Sequence, residues 1–247
     1  MNNEQGFASP SIFDSIETDR PLTYDLFGQL TRRWSVIYAD PPWAFENRSE
    51  IGEDRNANQH YDTMPIDDIM TLPVREIAAE DAILAMWVTD PTLEQAMHVI
   101  RSWGFTYKTV LFYWAKTWEN ADLEALHHTR SMPIGTGYIT RANPEMMLIA
   151  SRGEPRRRIL NIDGVMKPDM SIRRLQFAPR GVHSQKPEKF YGLIERLYEG
   201  PYLEMFARTR REGWGSWGNQ VGGLEDGTAG KKRKKDKRPP APAPLFD

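Results

Sequence analysis

The 247-residue chain contains no cysteine, so disulfides, thiolate zinc sites and catalytic thiols are excluded. It has no run of 18 apolar residues, which leaves no candidate for a membrane-spanning helix. Glu4, Asp14, Glu17 and Asp19 near the start argue against a signal peptide. Together these absences predict a cytoplasmic protein of prokaryotic or viral type. No Gly-x-Gly fingerprint follows a strand-like run. The one histidine pair, His127-His128, lies in the polar stretch Thr117 to Gly137 without a spaced partner, so it reads as surface loop and no metal site is expected.

What is present is an uneven distribution of charge. The net charge is only −2, yet residues 1–90 carry 6 basic and 17 acidic side chains, a balance of −11. Residues 152–189 carry 10 basic and 4 acidic, a balance of +6, and residues 231–238 add 7 basic against 1 acidic. Such polarity predicts that a polyanion meets the C-terminal half, the alternative for any single cluster being a solvated charge run. Three regions follow: a loosely structured lead-in over 1–31, one α/β domain over 32–221, and a basic, Pro-rich disordered tail over 222–247.

The stretch that organises the domain is Asp40-Pro41-Pro42-Trp43. Val36 to Ala39 before it reads as a short buried strand, and the two prolines end that strand in a stiff, extended elbow. A carboxylate at the carboxyl end of a strand sits where open α/β sheets bind ligands. It also suits a specific task. The exocyclic amine of a base is a poor nucleophile, because its lone pair is delocalised into the ring. A carboxylate accepting one N–H and the Pro41 carbonyl accepting the other hold that nitrogen with its lone pair aimed outward. Trp43 then offers a stacking face, worth roughly 1–3 kcal/mol per base. The bland alternative is a Pro-Pro turn with a capping Asp and a core Trp.

Further along, Pro65 to Ile77 reads as a helix in two pieces around Pro73. Ala82 to Thr89 reads as a strand, followed by a helix N-capped by Asp90, with Leu93, Met97, Ile100 and Trp103 on one face and Gly104 closing it. Phe105 to Ala115 is a second β-rich run, giving a βαβ unit and a mostly parallel sheet. Glu145 to Ala150 is a strand. Arg156, Arg157 and Arg158 form a basic loop expected to hold phosphates beside the base pocket, and Asn161 to Arg180 reads as irregular. Residues 187–199 form a helix with Phe190, Leu193, Ile194 and Leu197 inward, and Tyr202 to Ala207 is a final strand.

Asp40-Pro41-Pro42-Trp43 after an apolar strand resembles the signature of the adenine-N6 methyltransferases related to the catalytic subunit of the eukaryotic mRNA methyladenosine writer. The resemblance runs from about Trp34 to Gln220. It includes His60-Tyr61-Asp62-Thr63-Met64, Met86-Trp87-Val88-Thr89, Ser184-Gln185-Lys186-Pro187-Glu188 and Gly218-Asn219-Gln220. It implies a Rossmann-like methyltransferase fold with helices on both faces, circularly permuted so that the catalytic motif precedes the cofactor motif. It implies S-adenosylmethionine as methyl donor and adenine in nucleic acid as acceptor; the fold and elbow serve DNA and RNA alike, and a small cysteine-free chain without RNA-binding modules favours DNA.

Residue by residue, the resemblance places Asp40, Pro41, Pro42 and Trp43 at the catalytic elbow, with Tyr61 over the acceptor base and Glu145 near it. Lys186 falls between cofactor head and base, Glu204 and Arg208 on the ribose side, and Asn219 and Gln220 beside the adenosine. Trp214 and Trp217, in a Gly-rich loop, either wall that pocket or act as hydrophobic anchors. Ala207 stands where the eukaryotic enzyme has a glycine. A homodimer or a partner methyltransferase subunit is compatible with the resemblance. The alternative is a catalytically inactive nucleic-acid-binding scaffold subunit, and retention of Asp40 and the cofactor-matching residues argues against it.

Overall fold

The structure is a computed structural model, and it describes residues 33–44, 63–121, 132–135, 137, 139–181, 185–218 and 221. The elements in order are β1 (Trp34–Ala39), α1 (Ile66–Thr71), α2 (Val74–Ile77), β2 (Ala78–Val88), α3 (Leu93–Ser102) and β3 (Thr106–Thr117). They continue with β4 (Glu145–Arg152), β5 (Ile159–Ile162), β6 (Val165–Pro168), β7 (Leu175–Pro179), α4 (Lys189–Leu197), β8 (Tyr202–Met205) and β9 (Trp214–Trp217).

Seven strands form one sheet in the order β7-β3-β4-β2-β1-β8-β9, and β5-β6 is a separate hairpin. β1 pairs in parallel with β2 and β8, β3 with β7, and β8 with β9, while β4 is antiparallel to both its neighbours. The sheet is therefore mostly parallel but mixed. The expected βαβ unit exists as β2-α3-β3, two strands of the same direction. They are not adjacent, because β4 returns from the carboxyl end of β3 and fills the space between them.

Alternation along the strands divides the core into two layers. Ile37, Ala39, Leu84, Met86, Val88, Leu148 and Leu203 face α1, α2 and α3, where Ile69, Val74, Ala96, Val99, Ile100 and Trp103 meet them. Val36, Tyr38, Ile83, Ala85, Trp87, Phe112, Trp114 and Met147 face α4, which returns Phe190, Tyr191, Ile194 and Leu197. Burying each such side chain contributes roughly 1.5–3 kcal/mol. Helices thus cover both faces, as the fold class requires. Among the described residues no helix is long and apolar enough to cross a membrane.

Several local expectations are corrected. Asp90 is not the cap: residues Asp90–Thr92 form a single 3-10 turn ahead of α3, capped by Thr89, whose N–H donates to Thr92 Oγ1 at 3.1 Å. The hydroxyl of the third residue of that turn reaches back, whereas Asp90 is already inside it. Asn161 to Arg180 is not irregular, since it holds the β5-β6 hairpin and edge strand β7. Asp163 and Gly164, both at positive φ, make its tight turn. β7 lacks the alternation expected of a half-buried strand, with burial that is exposed at Leu175 and complete only at Ala178. Trp214 and Trp217 lie on edge strand β9 rather than in a loop, and Gly215 is required there because a Cβ would stand 2.4 Å from the Trp34 ring. The His127-His128 pair, the lead-in over 1–31 and the tail over 222–247 lie outside the described residues.

Candidate active site

The carboxyl ends of β1, β3 and β8 and the start of antiparallel β4 converge on one edge of the sheet. On the α4-facing side of that edge, alternation places Asp40 after Tyr38, Glu145 before Met147, Lys116 after Trp114, and Glu204 opposite Tyr38. Chain topology thus brings together charges from positions 40 to 208.

The elbow itself is closed by its own backbone. Trp43 N–H donates to the Pro41 carbonyl at 2.8 Å, an inverse γ-turn for which the fixed φ of Pro42 is suited. Met64 N–H donates to the Pro42 carbonyl at 2.9 Å, so the chain returns to the elbow after residues 45–62. Trp43 does not present an open stacking face, contrary to the expectation. Its side chain is 6% exposed, packs in the α1–α3 layer, and its indole N–H donates to the Trp87 carbonyl at 3.3 Å. It anchors the elbow to β2. Here the core-Trp reading holds.

Lys186 stands over Asp40. Its Nζ donates to both carboxylate oxygens at 2.8 and 2.7 Å and lies 3.3 Å from Glu145 Oε2. Its side chain is 8% exposed, with the Trp87 ring 5.5 Å away. Burial alone would push the ammonium down, but Asp40 and Glu145 outweigh it and hold Lys186 above its ordinary range. Burial leaves the Asp40 carboxyl above its ordinary value even with Lys186 against it. Desolvation also pushes the half-buried Glu145 up, yet Lys186 and Lys116 together hold it below the usual carboxylate range.

Two residues here were not singled out by the sequence. Lys116 Nζ lies 2.6 Å from Glu145 Oε1, and Asn143 grips the Lys116 backbone, accepting its N–H and donating to its carbonyl, both at 3.0 Å. The available signal was the strand alternation Trp114-Ala-Lys116, which puts Lys116 on the same face as Trp114.

Glu204 stands on the same face, on β8 beside Tyr38. Tyr191 Oη donates to its Oε1 at 2.7 Å, and Tyr191 in turn stacks on Tyr38 with centroids 4.7 Å apart. Oε2 of Glu204 and Oγ of neighbouring Ser216 are buried with no hydrogen-bond partner among the described residues. Desolvation pushes the Glu204 carboxyl up to about 7. A buried acceptor left without a donor costs roughly 1–3 kcal/mol, which a ligand hydroxyl would recover. The chain turns sharply just beyond: Phe206 has φ +62, a strained value for a bulky residue. Gly218 sits so close that a Cβ would be 2.5 Å from the Ala207 carbonyl. The close approach therefore falls at Gly218, which explains how an alanine is accepted at 207. A carboxylate with a free lone-pair edge in such a cradle fits the diol of a nucleoside ribose.

Arg208 acts electrostatically on both Asp40 and Lys186, so it belongs to this cluster. Arg156, Arg157 and Arg158 do not. β4 runs from Glu145 away from the site, and its eight residues carry the chain about 27 Å to the opposite edge. There Arg157 donates to the Asp169 carbonyl at 2.7 Å, and Arg158 donates to the Glu195 carbonyl at 2.8 Å near the end of α4. Arg156 is exposed. These arginines fasten the hairpin and cap a helix, so the expectation that they flank the base pocket is corrected. Tyr61, Asn219 and Gln220 lie outside the described residues. Among the described residues no cluster of metal-ligating side chains occurs.

The pattern of the sequence and the geometry of this edge can be compared with known proteins. The Type II methyltransferase M.MunI of Mycoplasma sp is 29% identical over 214 residues, covering 80% of this chain and 82% of that protein. The human N(6)-adenosine-methyltransferase catalytic subunit METTL3 is 26% identical over 195 residues, covering 78% of this chain but 29% of METTL3. The human N(6)-adenine-specific methyltransferase METTL4 is 26% identical over 198 residues, covering 77% of this chain and 38% of METTL4. The chain thus spans most of the first relative and well under half of the two human ones. The model of the MT-A70 family matches residues 34–220, from the first residue of β1 to the segment just past β9, and the chain belongs to that family.

Proposed function

We propose that this chain is a methyltransferase that methylates the N6 amine of adenine in nucleic acid, using S-adenosylmethionine and favouring DNA over RNA. The observation that carries the reading is Asp40 at the end of β1, held by the buried Lys186 ammonium at 2.7 and 2.8 Å in a chain similar to METTL3 and METTL4, which are named N(6)-adenosine and N(6)-adenine-specific methyltransferases. Asp40 accepts one N–H of the amine. The Pro41 carbonyl accepts the other through its second lone pair, since Trp43 occupies only one. Tyr61 stacks on the base, which must be flipped or single-stranded to reach this edge.

When bound, the cofactor supplies a sulfonium methyl as electrophile. The chain's own work is positioning, which is worth most in a direct displacement. Glu204 takes the ribose diol through Oε2, buried without a hydrogen-bond partner among the described residues, and Arg208, Asn219 and Gln220 complete the cofactor contacts. Lys186 keeps Asp40 ionised while standing between cofactor and base. The proposed unit is 32–221, with 1–31 and 222–247 as appendages, acting in the cytoplasm as a homodimer or with a partner subunit. The preference for DNA rests on the match to a type II methyltransferase over most of both lengths.

Mass spectrometry of nucleosides tests this directly. DNA and RNA are each incubated with pure protein and S-adenosylmethionine. N6-methyladenine is expected in the DNA pool; signal in RNA alone reverses the polymer, and signal in neither overturns the reading.

A further inference from the structure

Four charges form one row across the sheet edge: Lys116, Glu145, Lys186 and Asp40. The links are 2.6 Å from Lys116 Nζ to Glu145 Oε1, 3.3 Å from Glu145 Oε2 to Lys186 Nζ, and 2.7 Å from Lys186 Nζ to Asp40 Oδ2. Two cations and two carboxylates balance to zero. Lys186 has two hosts, and it sits closer to Asp40 because Lys116 already occupies the other oxygen of Glu145.

Lys116 is unusually well fixed for a lysine. Its side chain is 25% exposed, and its ammonium lies 5.3 Å from the centroid of the Trp114 ring. Its backbone is held by an amide side chain acting as a strand. In the register of β3 and β4, Trp114 faces Glu145, so Lys116 faces Asn143. Asn143 supplies both ladder hydrogen bonds through its side chain and spends its remaining N–H on the Pro133 carbonyl at 2.7 Å. An Asn before Pro144, which cannot donate a ladder bond, continues the sheet by one more pair.

We infer that Lys116, clamped by Asn143, is a positioning residue: it pairs with Glu145, offsets that charge and so leaves Lys186 to Asp40, which stays ionised to receive the amine. The inference rests on the role of Asp40 proposed above. Without Lys116, three charges remain, and Asp40 and Glu145 compete for one ammonium, with Arg208 the further cation acting on Asp40 and Lys186. Lys186 is then drawn toward Glu145, and Asp40, left with less of its cation and facing an unshielded carboxylate, keeps its proton to a higher pH. Lys116 touches neither base nor cofactor in this scheme.

The test combines a titration that needs no activity with a rate profile. Carboxyl carbons of wild type, Lys116→Met, Lys116→Gln and Lys116→Arg are followed by NMR against pH, with Asp40 assigned through Asp40→Asn and Glu145 through Glu145→Gln. Loss of the cation that offsets Glu145 is expected to raise the Asp40 midpoint by about one pH unit in the Met and Gln variants, and Arg is expected to restore it. The acid limb of kcat for methyl transfer should rise in step, giving about a tenfold loss of kcat at acid pH. KM for nucleic acid should stay within about threefold. An Asp40 midpoint that does not move in folded Met and Gln variants overturns the inference, as does a kcat loss that is the same at every pH. Wild type without methyl transfer overturns the proposed function instead, and the titration still decides whether Lys116 sets the charge of Asp40.

Discussion

Replacing Lys186 by Met removes the one ammonium shared by two partly buried carboxylates, 21% exposed at Asp40 and 14% at Glu145, and the consequence can be worked from the distances. Nζ lies 2.7 and 2.8 Å from Asp40 and 3.3 Å from Glu145, in a side chain 8% exposed. Methionine keeps the volume and the contact with the Trp87 ring but leaves Asp40 facing Glu145 with its cation gone. Removing one member of a buried pair costs about 3–5 kcal/mol. For a domain of this size that corresponds to a fall in Tm of about 6–20 °C. The sign with pH is fixed. The Asp40 carboxyl, already raised, rises further without Lys186, so its unfavourable charge is present at neutral pH and relieved as protons bind. The deficit should therefore narrow toward acid, by up to about 1.4 kcal/mol per pH unit for one group. Urea denaturation of wild type and Lys186→Met between pH 5 and 8 measures this, with Asp40→Asn/Lys186→Met expected to recover most of the loss. A deficit under about 1 kcal/mol at pH 7, or one that does not change with pH, would refute the reasoning.

Asp40→Ala should abolish methyl transfer while leaving the Kd for S-adenosylmethionine by calorimetry within about threefold; a Kd that collapses would place Asp40 in the cofactor site. Glu204, with its carboxyl pushed up to about 7, should make cofactor binding pH-dependent. A diol donating to Oε2 favours the carboxylate, so affinity rises from pH 6 and levels off above 7, by about tenfold per unit below that value. Glu204→Gln should bind more weakly at pH 8 and show a flat profile, and a wild-type Kd independent of pH would sink the assignment. Removing residues 228–247, which hold the basic run of 231–238, should weaken nucleic-acid binding and flatten its salt dependence. An unchanged slope of log Kd against log salt would assign that run another task.

Local chemistry determined much of this protein on its own. The apolar run before Asp40, the stop imposed by two prolines, Pro73 splitting two short helices and Gly104 at φ +81 closing α3 are all local effects, and each stands in the structure as the sequence implies. The order of short motifs likewise carried the family. Tertiary structure decided what those local rules leave open. Trp43 reads equally as a stacking face or a core residue, and only the packing of β1 against β2 buries it and ties its indole to Trp87. The arginines after β4 sit close in sequence to Glu145, but the antiparallel direction of β4, set by where the chain re-enters the sheet, carries them to the far edge. Lys116, Glu145, Lys186 and Asp40 lie on four separate segments, the last two 146 residues apart. Their meeting depends on strand order and side-chain alternation across the sheet, and no window of sequence contains either.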